Sequence, residues 1–181
     1  MRSLEFDLSD TKGWVTWTNL NSGVQEGSSS WALEDLQYLQ ENGVITMKPN
    51  INLYRDNNNN YWRNDMDGNK GLVSSAYTVM SNASNISNAS FSINIIEYTL
   101  DQRYTFELFA ILLNPNDSYN VIAEVKQVVN SSGIHSITTD NNFADGYFFQ
   151  FGFRIKGINS NPDTDWGSIK LNFSVQNQII C

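Results

Sequence analysis

The sequence predicts an all-β protein, an antiparallel β-sandwich of the jelly-roll kind with at most one short helix. Three observations carry this. From Phe91 onward apolar and polar residues alternate with period two, as strands with one buried face require. Clusters of Gly, Pro, Asn, Asp and Ser break that alternation at roughly ten-residue intervals, the spacing of sandwiches rather than of βαβ units. Aromatic residues reach 13% while charged residues are only 17%, a composition that favours strands over helices.

Taken along the chain, Trp14-Val15-Thr16-Trp17-Thr18 reads as the first strand, and its two tryptophans, three apart, must face opposite sides. At least one of them belongs to the core. Trp31–Glu41 is the single helix candidate, with Leu33, Leu36 and Leu39 at only approximate helical spacing. Asn42-Gly43 then either caps that helix or forms a type I′ hairpin turn into a strand over Val44–Met47, since Gly serves positive φ in both settings; the helix is the preferred reading. Asn57–Asn60 and the near-repeat Asn82–Ser90 read as loops.

The second half is more regular. Phe91, Ile93 and Ile95 alternate with Ser92, Asn94 and Ile96. Tyr104–Leu113 is a long strand ended by Asn114-Pro115-Asn116-Asp117, where Pro fixes φ and Asx side chains bond to nearby backbone. Val121–Val129 is its antiparallel return, and Asn130-Ser131-Ser132-Gly133 turns the chain into Ile134–Thr138. In Tyr147–Lys156, Phe149, Phe151, Phe153 and Ile155 share one face. After the loop Gly157–Asp163, Ile169, Leu171, Phe173 and Val175 alternate with polar residues as a half-buried closing strand.

A chain of 181 residues suits one domain over residues 1–181 with a substantial core. Eleven basic against nineteen acidic residues give a net charge of −8, which repels nucleic acid and anionic membranes. Apolar runs such as Phe106–Leu113 are far short of a bilayer span, so no membrane insertion is expected. Cys181 is the one cysteine, which rules out an intrachain disulfide and a thiolate metal cage and leaves the compartment open. Met1-Arg2-Ser3 runs into an amphipathic stretch without an apolar h-region, which reads as an excised module with an added start. The Asn-x-Ser/Thr sequon occurs six times, each with Ser, near the roughly four that chance gives in so Asn- and Ser-rich a chain, so it carries no information about glycosylation.

Over roughly the C-terminal half, the segments Tyr104-Thr105-Phe106-Glu107-Leu108-Phe109, Leu113-Asn114-Pro115, Gln150-Phe151-Gly152-Phe153, Gly157–Pro162 and Trp166-Gly167-Ser168-Ile169 form a recognisable pattern. With Glu41–Met47 upstream, it resembles the jelly-roll carbohydrate-binding modules attached to secreted bacterial polysaccharide-degrading enzymes. The resemblance implies a fold and a ligand class, a polysaccharide such as a β-glucan, with a tethered glycan-active enzyme as partner and an extracellular or cell-surface location. It also implies a structural Ca²⁺ between the first and last strands, for which Glu5, Asp7, Asp163 and Asp165 are the candidate ligands.

Independently of that resemblance, Tyr54, Tyr61 and Trp62, with Trp31 upstream, lie among Arg55, Asp56, Asn57–Asn60, Arg63, Asn64 and Asp65. Sugar rings stack their C–H faces on Trp or Tyr while polar neighbours bond to the hydroxyls, so Trp31, Tyr54, Tyr61, Trp62, Arg63 and Asp65 are the expected ligand-binding residues. The competing reading is that Tyr61 and Trp62 anchor a long loop on the sandwich. Asp65-Met66-Asp67-Gly68-Asn69 is similar to a calcium loop, but Arg63 and Ser74 stand where an EF-hand needs Asp and Glu, and a solvated turn is the better account.

His135 is the one histidine, which excludes multi-histidine metal sites and points to a strand residue with a satisfied imidazole. Glu107 and Glu124 fall on strands expected to pair, where solvent-facing carboxylates are more natural than a hydrolytic pair. Two alternatives to non-catalytic glycan binding therefore stay open. One is a structural surface, adhesin or capsid/fibre sandwich; the other is a jelly-roll polysaccharide lyase or hydrolase.

Overall fold

The structure, a computed structural model, describes residues 10–49, 61–64, 67–81, 89–139, 146–159, 161 and 163–172. Its strands are β1 (Lys12–Asn19), β2 (Gln25–Trp31), β3 (Tyr38–Glu41), β4 (Val44–Met47), β5 (Arg63–Asn64), β6 (Asp67–Gly68) and β7 (Lys70–Ser81). They continue as β8 (Ala89–Tyr98), β9 (Thr105–Asn114), β10 (Asn120–Val129), β11 (Gly133–Thr139), β12 (Phe148–Ile158) and β13 (Ile169–Asn172).

Two large antiparallel sheets result, one in the order β10-β9-β12-β7-β1-β2 and the other β11-β8-β13-β4-β3, while β5 and β6 pair as a separate two-stranded sheet. Eight of these strands, β4 and β7 to β13, switch between the sheets as a jelly roll does: β4-β13-β8-β11 in one layer face β7-β12-β9-β10 in the other. The β1–β2 hairpin extends the second layer beyond β7, and β3 extends the first beyond β4. The fold expected from the alternation is therefore present, with its topology explicit.

The core is the filling between the layers. From β12, Phe149, Phe151, Phe153 and Ile155 all point inward and are buried, as the alternation requires. Phe151 meets Phe91 of the opposite sheet at 5.1 Å between ring centroids, and Phe153 meets Tyr38 at 6.2 Å. The Tyr38 hydroxyl donates to the Ser74 carbonyl at 2.7 Å, and burial pushes its ionisation well above the ordinary value. Ile96 interrupts the alternation of β8. It lies between the partners of Leu171 and Lys170 as the extra residue of a bulge, and it is exposed.

The helix expected over Trp31–Glu41 is absent. Residues 33–37 form turns, Gln37 adopts φ 59°, and Tyr38–Glu41 pairs with Val44–Met47. Asn42 and Gly43 both have positive φ, 51° and 76°, the mark of a type I′ turn. Leu36 and Tyr38 are buried while Leu39 is exposed, so burial follows the turn and the short strand after it rather than one side of a helix.

Candidate functional site

The rings singled out in the sequence divide in the structure. Trp62 is only 8% exposed and belongs to the core. The rings of Trp17 and Tyr61 pack edge-on against it, at 5.3 and 5.0 Å. Its carbonyl accepts the Nδ2–H of buried Asn159 at 3.0 Å. This is the loop-anchoring arrangement. Polar flanking residues could not reveal it, because they do not fix where a side chain between them points.

Tyr61 is exposed, and its hydroxyl accepts the Trp17 Nε1–H at 3.0 Å. Below its ring the Lys70 ammonium lies 4.1 Å from the centroid and pairs with Glu26. Hydrogen bonds from Lys70, Asn19 and Tyr61 hold the Glu26 carboxyl down at about 2. Trp31 is half-buried and packs on the core. Arg63 is placed by its backbone alone, opposite Gly68. Tyr54 and Asp65 lie outside the described residues, as do Glu5 and Asp7.

Asp163 and Asp165 are exposed on the loop between β12 and β13, and an Asp165 carboxylate oxygen accepts the Gly167 N–H at 3.0 Å. Two carboxylates are fewer than the six to eight oxygens Ca²⁺ takes, so these two alone do not make its site. His135 donates its Nε2–H to the Ser131 carbonyl at 3.0 Å, a satisfied imidazole on β11.

A second constellation lies on the outer face of the six-stranded sheet, where no sequence-local cluster pointed. Strand order and register assemble it. Trp14, Ser75, Arg154 and Glu107 follow one another across β1, β7, β12 and β9; in the next row Tyr77, Gly152 and Phe109 do the same. Of these, Trp14, Ser75, Arg154, Tyr77 and Phe109, with Thr16, Val73, Gln150, Ile111, Leu113 and Tyr119, line a groove of about 550 Å³. Trp14 is 38% exposed there, while Trp17, three residues on, packs on the core side, so the two tryptophans face opposite ways as strand geometry demands.

Gly152 keeps the floor low between Tyr77 and Phe109. A Cβ at that position would come within 2.0 Å of the Ala76 carbonyl oxygen, so no other residue fits without moving the strands.

The polar centre of the groove is Arg154. Its Nε donates to Glu107 at 2.9 Å and its Nη2 to Glu124 at 2.9 Å, while Lys156 reaches the same Glu107 oxygen at 2.6 Å. The guanidinium also lies 5.0 Å from the Phe109 ring centroid. Burial pushes the Glu107 carboxyl up, but the hydrogen bonds from Lys156 and Arg154 outweigh it and hold the group below its ordinary value. Glu107 and Glu124 were expected to face solvent on paired strands. They do share the outer face, but Glu107 is buried under its cations. A carboxylate held ionised in this way accepts hydrogen bonds and is poorly set to donate a proton.

No protein-family model matches the sequence, and no curated protein matches it. Among solved structures, the chain is similar to the enzymatically active domain of tailspike protein 4 of bacteriophage CBA120 (10% identity, TM-score 0.41), covering 92% of this chain and 19% of that one. It is also similar to a mutant xylanase 10C from Cellvibrio japonicus solved with xylopentaose (12% identity, TM-score 0.44), covering 93% and 27%. A third similar structure is reported for carbohydrate-binding modules of the β-sandwich superfamily (10% identity, TM-score 0.38), covering 90% and 84%. The chain thus spans about a fifth to a quarter of the first two.

Proposed function

We propose that the protein is a glycan-binding β-sandwich that holds a neutral polysaccharide on the outer face of its six-stranded sheet and does no chemistry on it. One observation carries the reading: Trp14, Tyr77 and Tyr119 line the groove above a buried Phe109, with Arg154, Gln150, Ser75 and Thr16 among its polar groups. Aromatic walls suit the C–H faces of pyranose rings, and fixed donors and acceptors suit their hydroxyls.

The charge argues for a neutral ligand. Arg154 is committed to two carboxylates of its own chain, and the chain carries a net −8, so an anionic glycan finds no free guanidinium in Arg154 and an unfavourable field. Glu107, held ionised by Lys156 and Arg154, is not set to be the proton donor that glycoside hydrolysis requires. An extracellular or cell-surface setting, a tethered glycan-active enzyme and a structural Ca²⁺ held in part by Asp163 and Asp165 go with this reading. A rise in melting temperature when Ca²⁺ is returned to chelator-stripped protein is the expected sign of the ion, and an unchanged temperature removes it.

Calorimetric titration against a panel of neutral and uronate-containing oligosaccharides, with product analysis of the same mixtures, tests the main claim. Binding of neutral members without turnover is expected. Turnover would return the hydrolase or lyase reading, and silence across the panel together with insoluble polysaccharides would favour a structural sandwich.

A further inference from the structure

Strand β10 ends the six-stranded sheet, with β9 on one side and no strand beside its other edge among the described residues. Such an edge presents backbone donors and acceptors to any strand that can lie beside it, and monomeric proteins usually blunt it. Here it is ten residues long, and Val121, Ile122 and Val128 on it are 53%, 47% and 60% exposed.

The sequence of this strand is complementary to itself. If two copies are laid antiparallel about Val125, Glu124 of each faces Lys126 of the other, giving two opposite-charge pairs. Glu124, Lys126 and Val128 all belong to the outer face, since they pair with Ile111, Phe109 and Glu107 of β9.

Other registers are penalised. A slip of one residue sets outer-face side chains against inner-face ones. Recentring on Glu124 or on Lys126 puts that residue opposite its own copy, like charge against like charge. The bulge between Val121 and Ala123 lies beyond the central ladder Ala123–Gln127, so the charged centre pairs on regular strand.

We propose that two copies of this chain associate through β10, antiparallel and centred on Val125, joining their six-stranded sheets by a two-fold axis perpendicular to the sheet. The interface is isologous, as a two-fold requires. That axis keeps outer face with outer face, so the two grooves lie on one side of the joined sheet.

The test reads mass, independently of any glycan. Sedimentation equilibrium of the wild-type chain over a concentration series should reach twice the chain mass of 20.5 kDa. Lys126→Glu, at an exposed position, sets glutamates opposite each other and should weaken association by about tenfold or more. Glu124→Lys should do the same with lysines. An equimolar mixture of the two variants restores both charge pairs and should return the double mass as a heterodimer, which also establishes that both variants are folded. A wild-type chain that stays at 20.5 kDa at every concentration overturns the proposal, and so does a dimer that Lys126→Glu leaves intact.

Discussion

Arg154 on β12 bridges Glu107 of β9 and Glu124 of β10, donating Nε to the first and Nη2 to the second, each at 2.9 Å. Three neighbouring strands are thereby tied on their outer face by one guanidinium, whose planar fork suits two carboxylates at once. Its side chain and that of Glu107 are mostly withdrawn from water, while Glu124 is partly exposed. The bridge is thus a structural clamp and the polar floor of the groove together.

Arg154→Met should therefore destabilise the fold, because it leaves Glu107 buried with Lys156 as its remaining cation. Removing one partner of a buried pair costs about 3–5 kcal/mol, and the surviving lysine should bring this nearer the lower end. Urea unfolding measures it. A loss below about 0.5 kcal/mol, the size of an ordinary surface change, would mean that the clamp contributes little.

Acid should act through Glu26 and Glu107. Both carboxyls are depressed in the folded chain, Glu26 from 4.5 to about 2 through its bonds from Lys70, Asn19 and Tyr61. For a depressed carboxyl the stabilising contribution is complete above the unfolded value and is lost as pH falls through the folded one. Stability should thus decline as pH falls from 4.5 towards 2, and Glu26→Gln should make that decline shallower. Unfolding midpoints measured across this range check it; identical slopes in wild type and variant would mean Glu26 is not linked.

The Asn42-Gly43 turn offers a third test. Gly43 at φ 76° has no neighbour within 4 Å of an added Cβ, so Gly43→Ala isolates the backbone cost from steric clash. A loss of about 1–2 kcal/mol is expected for an L-residue held in that region, read by thermal or urea unfolding. An unchanged midpoint would mean that the turn relaxes to another type.

How far the sequence reached can be traced through individual residues. Phe149, Phe151, Phe153 and Ile155 announced β12 because every second residue is apolar, and the structure buries all four. Leu33, Leu36 and Leu39 misled, since three leucines at mixed spacing fit a loose helix as well as a turn followed by a strand, and only the positive φ of Gln37 and Asn42 settles it. Strand β7 has no clean alternation, with Ser74, Ser75 and Ala76 all buried in mid-strand, so its place at the centre of the sheet could not be read. The groove was illegible for the same reason. Trp14, Tyr77 and Phe109 are far apart in sequence and become neighbours only through the order β1-β7-β12-β9. Arg154 could have been noticed as the charge between Phe153 and Ile155, pointing away from the core on the most apolar strand.

The last prediction contrasts two tryptophans with opposite fates. Trp62 is buried against Trp17 and Tyr61, so Trp62→Ala should lower stability by about 3–5 kcal/mol, as loss of a core aromatic does. Trp14 stands on the outer face at 38% exposure, in the groove beside Ser75 and Arg154 in register. Trp14→Ala should leave the unfolding midpoint nearly unchanged and weaken neutral oligosaccharide binding by roughly ten- to a hundredfold, the worth of about 1.4–2.8 kcal/mol of stacking and burial. The pair is measured as two variants, each with a melting curve and a calorimetric titration. If Trp62→Ala keeps its stability and loses the glycan while Trp14→Ala binds as wild type does, the ligand sits at the Tyr61 loop and the outer-face groove is not its site.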